Sequence, residues 1–254
     1  MKIIDGKKIA DSILARLKKE IERRRINPCL AVILVGDNPS SVLYIKAKEK
    51  AAEKIGVRIK KFFLPANSSE NEILEVIKKL NNNLEINGIL VQMPLPKGIS
   101  PDRIIKEISP EKDVDGLLPK SGFDSPFILS IWEALQATKE NLENKKIIAL
   151  VNSEIFGERM SMFFKQREIE IMIGGLPPKL EADILITALG KPGVIKGNMV
   201  KQGVILIDGG ISRVDGRTAG DIDEESVKQK AKWLSPVPGG LGPLTVAFLL
   251  KNLI

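Results

Sequence analysis

Cys29-Leu30-Ala31-Val32-Ile33-Leu34-Val35 runs directly into Gly36-Asp37-Asn38-Pro39-Ser40. The first part is a short, unbroken apolar stretch rich in branched side chains, which reads as a strand buried on both faces. The second part is turn chemistry with a proline suited to the first turn of a helix, so the chain turns and a helix follows, ending near Gly56. A strand with no polar face must be covered by helices on both sides, so this stretch points to a parallel α/β sheet.

Working outward, Ile9, Ile13, Leu14, Leu17 and Ile21 recur at helical spacing over 7–24. Beyond Gly56 the pattern predicts a strand at 58–64, a helix at 70–81, a strand at 88–92 and a short helix at 101–108. Lys145 to Val151 begins a second alternating half, with a helix at 156–164 and strands at 168–173, 183–187 and 204–208. The expected fold is therefore α/β in two lobes with a cleft between them. In such sheets ligands sit at the carboxyl ends of strands, where Gln92, Asp208 and the loop after Leu234 fall.

The 254 residues carry 39 basic and 32 acidic side chains, a net charge of +7. A basic balance suits anionic small molecules and also nucleic acid, but only 4% of residues are aromatic and the lysines are dispersed, which argues against a nucleic-acid surface. No apolar run is long enough to span a membrane, and no signal-peptide pattern precedes the first helix, so a cytoplasmic protein is expected. Cys29 is the single cysteine, which excludes an intrachain disulfide. Histidine is absent, so zinc held by histidine is ruled out and proton transfer near neutral pH falls to lysine, carboxylates, tyrosine or water. No metal is expected.

Ser235-Pro236-Val237-Pro238-Gly239-Gly240-Leu241-Gly242-Pro243-Leu244-Thr245-Val246 packs three prolines and three glycines ahead of an apolar helix pattern. Prolines fix φ and glycines admit close backbone approach, so this backbone is shaped to sit against something. A rigid turn capping a helix that starts at Pro243 is the plainer account.

The segment resembles the PVPGGVGPMT signature of the methylenetetrahydrofolate dehydrogenase/cyclohydrolase family. Tyr44-Ile45-Lys46-Ala47-Lys48 is similar to that family's Tyr-x-x-x-Lys, Val91-Gln92-Met93-Pro94-Leu95-Pro96 to its VQLPLP, and Lys112-Asp113-Val114-Asp115-Gly116 to its KDVDG. Gly190-Lys191-Pro192-Gly193 and Asp208-Gly209-Gly210-Ile211 resemble later landmarks, so the likeness runs over nearly the whole chain. It implies a folate-binding catalytic domain at 1–120 plus 243–254, a Rossmann-like NAD(P)-binding-type domain at 121–242, and a homodimer.

On this resemblance Lys48 is the catalytic lysine, with Tyr44 against the folate ring and Gln92 aligning the amine. Asp115, Pro238, Gly239, Gly240 and Pro243 join Tyr44 and Gln92 in binding a tetrahydrofolate substrate. Tyr44 and Lys48 lie one turn apart on a helix face, although a lysine among Lys46, Lys50 and Lys54 is most often solvated. A lysine desolvated in a cleft is pushed toward a neutral amine, which makes it a general acid/base. Asp113 reads equally well as a turn builder.

The nucleotide half departs from the family pattern. Where the family has Gly-Arg-Ser-x-x-Val-Gly-x-Pro, this chain has Val151-Asn152-Ser153-Glu154-Ile155-Phe156-Gly157-Glu158-Arg159. A β-branched residue replaces the turn glycine, and Glu154 and Glu158 bring negative charge toward a phosphate site. Gly174-Gly175-Leu176-Pro177-Pro178 stands where the family carries a Ser/Arg/Thr cluster, and Pro126-Phe127-Ile128-Leu129-Ser130 replaces Pro-Cys-Thr-Pro. Ser153, Gly157, Gly190, Ile211 and Thr245 remain as candidate NAD or NADP contacts. The leading expectation is a methenyltetrahydrofolate cyclohydrolase with its dehydrogenase activity in doubt. The alternatives are the fully bifunctional NAD(P)-dependent enzyme and a non-catalytic folate- or partner-binding protein.

Overall fold

The computed structural model describes residues 1–176 and 179–254; Pro177 and Pro178 of the altered loop lie outside the described residues. The chain forms two compact units, Ala10–Pro126 with Val246–Ile254, and Met1–Ile9 with Phe127–Thr245. In chain order the strands are β1 (Lys2–Ile3), β2 (Cys29–Val35), β3 (Arg58–Leu64), β4 (Gly88–Val91), β5 (Ile147–Val151), β6 (Ile171–Gly174), β7 (Ile184–Ala188), β8 (Val204–Asp208), β9 (Ser212–Val214), β10 (Arg217–Ala219) and β11 (Ala231–Ser235). The helices are α1 (Gly6–Arg24), α2 (Pro39–Ile55), α3 (Glu70–Asn81), α4 (Pro101–Lys106), α5 (Pro126–Thr138), α6 (Glu154–Lys165), α7 (Glu224–Val227) and α8 (Leu241–Lys251).

In the first unit β2 is the central strand of a three-stranded parallel sheet, ordered β3-β2-β4. All seven of its residues are buried, as a two-sided apolar strand requires. Ile33, Ile73, Ile77, Ile89 and Ile104 belong to one core there. Asn38 caps α2 by accepting from the Ser40 and Ser41 amides at 3.0 and 3.2 Å, and Gly56 closes the helix in the left-handed region at φ +82°. The turn chemistry at 36–40 therefore sets where α2 begins, and with it the face on which Lys48 emerges.

The second unit holds a six-stranded parallel sheet, ordered β1-β11-β8-β7-β5-β6, with β9 and β10 as a separate hairpin. This is the expected α/β architecture with a Rossmann-like second unit. Among the described residues no helix is long and apolar enough to cross a membrane.

Five elements have no counterpart in the sequence expectation: β1, α5, β9, β10 and α7. A two-residue edge strand leaves no periodic signal, and α5 is mostly apolar, so its few polar residues mark a helical face only weakly. The expected strand at 168–173 begins later, at Ile171, because Glu168 adopts φ +60° and interrupts an extended backbone.

The first nine residues fall in the second unit rather than with residues 10–120. β1 pairs in parallel with β11, Lys2 opposite Trp233 and Ile3 opposite Leu234, and the Lys7 amide donates to the Gly239 carbonyl at 3.1 Å. The Pro/Gly-rich segment after β11 is shaped to sit against the start of α1. A Cβ on Gly6 would lie 1.8 Å from the Gly240 carbonyl oxygen, so only glycine fits at that position. Gly6→Ala is expected to lower the urea midpoint with little change in m, costing about 1–3 kcal/mol as overpacking does. An unchanged midpoint would show that this approach is not a constraint.

Candidate active site

In the first unit Lys48 lies on the buried face of α2, 9% exposed. Its Nζ donates to Gln92 Oε1 at 2.8 Å and lies 5.9 Å from the centre of the Tyr44 ring. Gln92 follows β4, and its backbone amide extends the ladder to Ile33 O at 2.9 Å. Its Nε2 donates to Met93 O at 2.8 Å, a carbonyl that also accepts from Ser41 Oγ at 3.2 Å. The Gln92 amide is thereby held with its oxygen toward the lysine. A surface lysine would have none of these contacts.

The charges of this group oppose one another. Burial lowers the Lys48 pKa from its ordinary value, and the Asp115 carboxylate pulls it partly back. Burial raises Asp115 to about 6; the Lys48 charge counters this and Asp113 adds to it. Burial also raises Tyr44, which therefore stays a neutral phenol. An acid raised and an amine lowered beside each other lose and gain protons in a narrower range than free side chains do, which is what a proton relay near neutral pH needs. Asp113 is fully buried and accepts from the Leu118 amide at 2.7 Å, so it builds the turn that carries Asp115. Its Oδ1 has no hydrogen-bond partner.

In the second unit a cavity of about 330 Å³ opens at the carboxyl ends of β5, β7 and β8. Its wall includes Phe127, Asn152, Phe156, Gly190, Gly209 and Ile211, with the two phenyl rings 5.3 Å apart. Gly190 and Ile211 of the candidate cofactor residues thus line this cavity. Ser153 instead caps α6, accepting from the Phe156 amide at 3.3 Å, and Thr245 donates to Ser130 Oγ and Leu241 O at 3.2 and 3.0 Å. Pro238, Gly239, Gly240 and Pro243 belong to this second unit as well.

Val151 does not obstruct the turn, contrary to the expectation for a β-branched residue there. It is the last residue of β5, still opposite Ala188 in the ladder, and its side chain lies beside Gly157. A Cβ on Gly157 would meet Ile173 Cγ2 at 2.9 Å and Val151 Cγ2 at 3.2 Å, so the bare glycine leaves room for the valine. Glu154 and Glu158 are exposed, where solvent screens their charge. A capped helix start beside a cavity at the strand ends fits a dinucleotide.

Sequence reasoning missed Asp221. It is fully buried, and its carboxylate accepts from the Leu189 and Lys191 amides at 2.6 and 2.7 Å. Asp208 accepts from the Gly210, Asp221 and Ile222 amides at 2.9, 3.0 and 2.9 Å, yet burial still raises it to about 6, with the Asp221 charge adding to the rise. A Cβ on Gly210 would lie 2.1 Å from the Asp221 carboxyl carbon, and one on Gly220 2.1 Å from Asp208 Oδ2. The Gly-Asp clusters therefore wrap backbone around two buried carboxylates, behind the loops that bear Gly190 and Ile211. A Gly-Asp pair following a short hairpin was the available signal.

Comparison with known proteins gives two consecutive domain matches whose bounds differ from the two units at residues 4–9 and 246–254. Residues 4–115 match the tetrahydrofolate dehydrogenase/cyclohydrolase catalytic domain, and 128–254 match the NAD(P)-binding domain of the same family. The bifunctional protein FolD of Halothermothrix orenii is 40% identical over 100% of this chain and 96% of its own length; that of Aquifex aeolicus is 40% identical over 98% and 93%. The crystal structure of the bifunctional enzyme FolD from Campylobacter jejuni superposes with a TM-score of 0.91 at 37% identity, covering 99% of this chain and 96% of that one. That of Trypanosoma brucei FolD, complexed with NADP cofactor and inhibitor, has a TM-score of 0.91 at 29% identity over 98% and 95%. A buried lysine with its glutamine partner in one unit, a strand-end cavity in the other and full-length likeness throughout lead to one assignment: the chain belongs to the tetrahydrofolate dehydrogenase/cyclohydrolase family.

Proposed function

We propose that this chain catalyses both reactions of its family, oxidation of 5,10-methylenetetrahydrofolate with NAD(P)+ and hydrolysis of the 5,10-methenyl product to 10-formyltetrahydrofolate. The observation that carries the proposal is the buried Lys48 amine on Gln92 Oε1, with Asp115 acting on its charge. The expectation of a disabled nucleotide site is set aside, because the NAD(P)-binding domain is matched over 128–254 and Val151 fits beside Gly157.

In hydrolysis water adds to the cationic methenyl carbon, loses a proton, and the carbon-nitrogen bond to the ring then opens as that nitrogen gains a proton. Lys48 in its amine form takes one proton from water and returns it to the departing nitrogen, and the proton left on the added hydroxyl is released to solvent as the formyl carbonyl forms. Gln92 keeps the amine aimed, Tyr44 packs against the folate ring, and the Asp115 carboxyl hydrogen-bonds its polar edge. Bound NAD(P)+ supplies the hydride acceptor for the other reaction. The chain's part there is to hold the loops at Gly190 and Ile211 and to keep water out with Phe127 and Phe156.

A paired spectrophotometric assay tests this. Loss of methenyltetrahydrofolate without nucleotide, together with NAD(P)H formation from methylenetetrahydrofolate, is the expected result. Hydrolysis without NAD(P)H from either nucleotide would reduce the chain to a cyclohydrolase, and neither activity would overturn the proposal.

A further inference from the structure

We propose that Asn252 is a positioning residue for the folate site, acting through Asp115; the inference rests on the assignment of Asp115 to substrate recognition. Asp115 stands in a loop closed on itself. The Asp113 carbonyl accepts from the Gly116 amide at 3.0 Å and from Ser121 Oγ at 3.2 Å, and the Phe123 amide donates back to Ser121 Oγ at 3.2 Å. Gly116 sits at φ +62°, with no room for a side chain, since a Cβ would lie 2.6 Å from the Phe123 carbonyl oxygen. The two limbs of the loop therefore touch backbone to backbone.

Asn252 ties them together from just beyond α8. Its Nδ2 donates to Val114 O at 2.8 Å and to Asp124 O at 3.1 Å, one hydrogen for each limb. The Val114 carbonyl belongs to the peptide group that joins Val114 to Asp115, so its direction sets the backbone from which the Asp115 side chain leaves. Leu253 and Val114 both crowd Gly88 of β4, where a Cβ would meet them at 2.7 and 2.4 Å, which anchors the asparagine beneath the loop. Asn252 itself reaches neither Lys48 nor Gln92. Its effect on catalysis passes through the direction of the Asp115 carboxyl.

The test uses the full-length chain carrying Asn252→Ala, Asn252→Gln and Asn252→Asp, the last an isostere that puts carboxylate oxygen against two carbonyls. Steady-state kinetics of both reactions are expected to show folate KM raised about tenfold, within the loss that a misplacement near 1 Å produces, with nucleotide KM unchanged. Asn252→Gln, which keeps the donor, should recover part of the loss. Ile77→Val, a core truncation in the same unit, should lower the melting temperature without moving folate KM. If the Asn252 variants lose only kcat, in step with their folded fraction, or shift nucleotide KM as much as folate KM, the positioning role is overturned. A wild-type protein that turns over neither folate would instead remove the proposed function, and this inference with it.

Discussion

Lys48→Met is expected to slow methenyltetrahydrofolate hydrolysis by about 10²–10⁴-fold, the usual share of a general acid/base, while the fold persists. The methionine fills much the same volume but carries no proton. Because a buried, desolvated charge is costly, the melting temperature should stay level or rise. The sign agrees: with its folded pKa below the unfolded 10.5, Lys48 binds fewer protons folded than unfolded in that window. It therefore costs stability in full below the lowered value, and that cost shrinks as pH rises from there toward 10.5.

In the wild type the amine form grows as pH rises through the lowered pKa, so Lys48-dependent hydrolysis should climb toward alkaline pH, and the variant's profile should lose that limb. Removing the lysine also removes the charge that opposes protonation of Asp115, so its carboxyl should move above about 6. Loss of methenyl absorbance across a pH series and an infrared carboxyl titration check both points. Lys46→Met, on the exposed face of the same helix, is the control. If both variants kept wild-type turnover, the catalytic role of Lys48 would be wrong.

The second large effect is expected in the other unit. Asp221→Ala strips the acceptor from two amides, half-buried Leu189 and exposed Lys191. A fully buried donor left unpaired costs about 1–3 kcal/mol, and because these two are only partly buried the pair together should cost about that much. The loop bearing Gly190 loses its anchor, and about a hundredfold loss of NAD(P)H formation is expected for a displacement near 1 Å. Hydrolysis assayed without nucleotide should survive below the melting temperature, because Lys48, Gln92 and Asp115 lie in the first unit. Removal of the neighbouring charge should also let Asp208 fall from about 6. Denaturation and paired assays read all three; hydride transfer unaffected beside a large stability loss would make Asp221 a scaffold residue only.

Much of the fold and half of the candidate site are legible in the amino-acid sequence. Strand β2 and the start of α2 follow from seven apolar residues and an Asn-Pro turn, because two-sided burial and helix capping are local constraints. The helical spacing of Tyr44 and Lys48 puts both on one face. What cannot be read there is anything that depends on residues far apart in the chain. Gln92 meets Lys48 across 44 positions, and Glu140 meets Trp233 across 93. A valine at a tight turn would be an obstacle, but Val151 is still in the strand and Gly157 makes space for it.

The sequence by itself determined the alternating α/β plan, the lack of histidine that leaves proton transfer to lysine, carboxylates, tyrosine or water, and the family motifs, since each resides in residue type and short spacing. Only the tertiary structure decided that Lys48 is buried on Gln92, that β1 extends the second sheet, and that Asp208, Asp221 and Asn252 hold the loops behind the candidate sites. Burial and hydrogen bonding between distant segments are set by how the sheets stack and pair, and no local pattern encodes the direction in which a carboxylate or an amide will finally point.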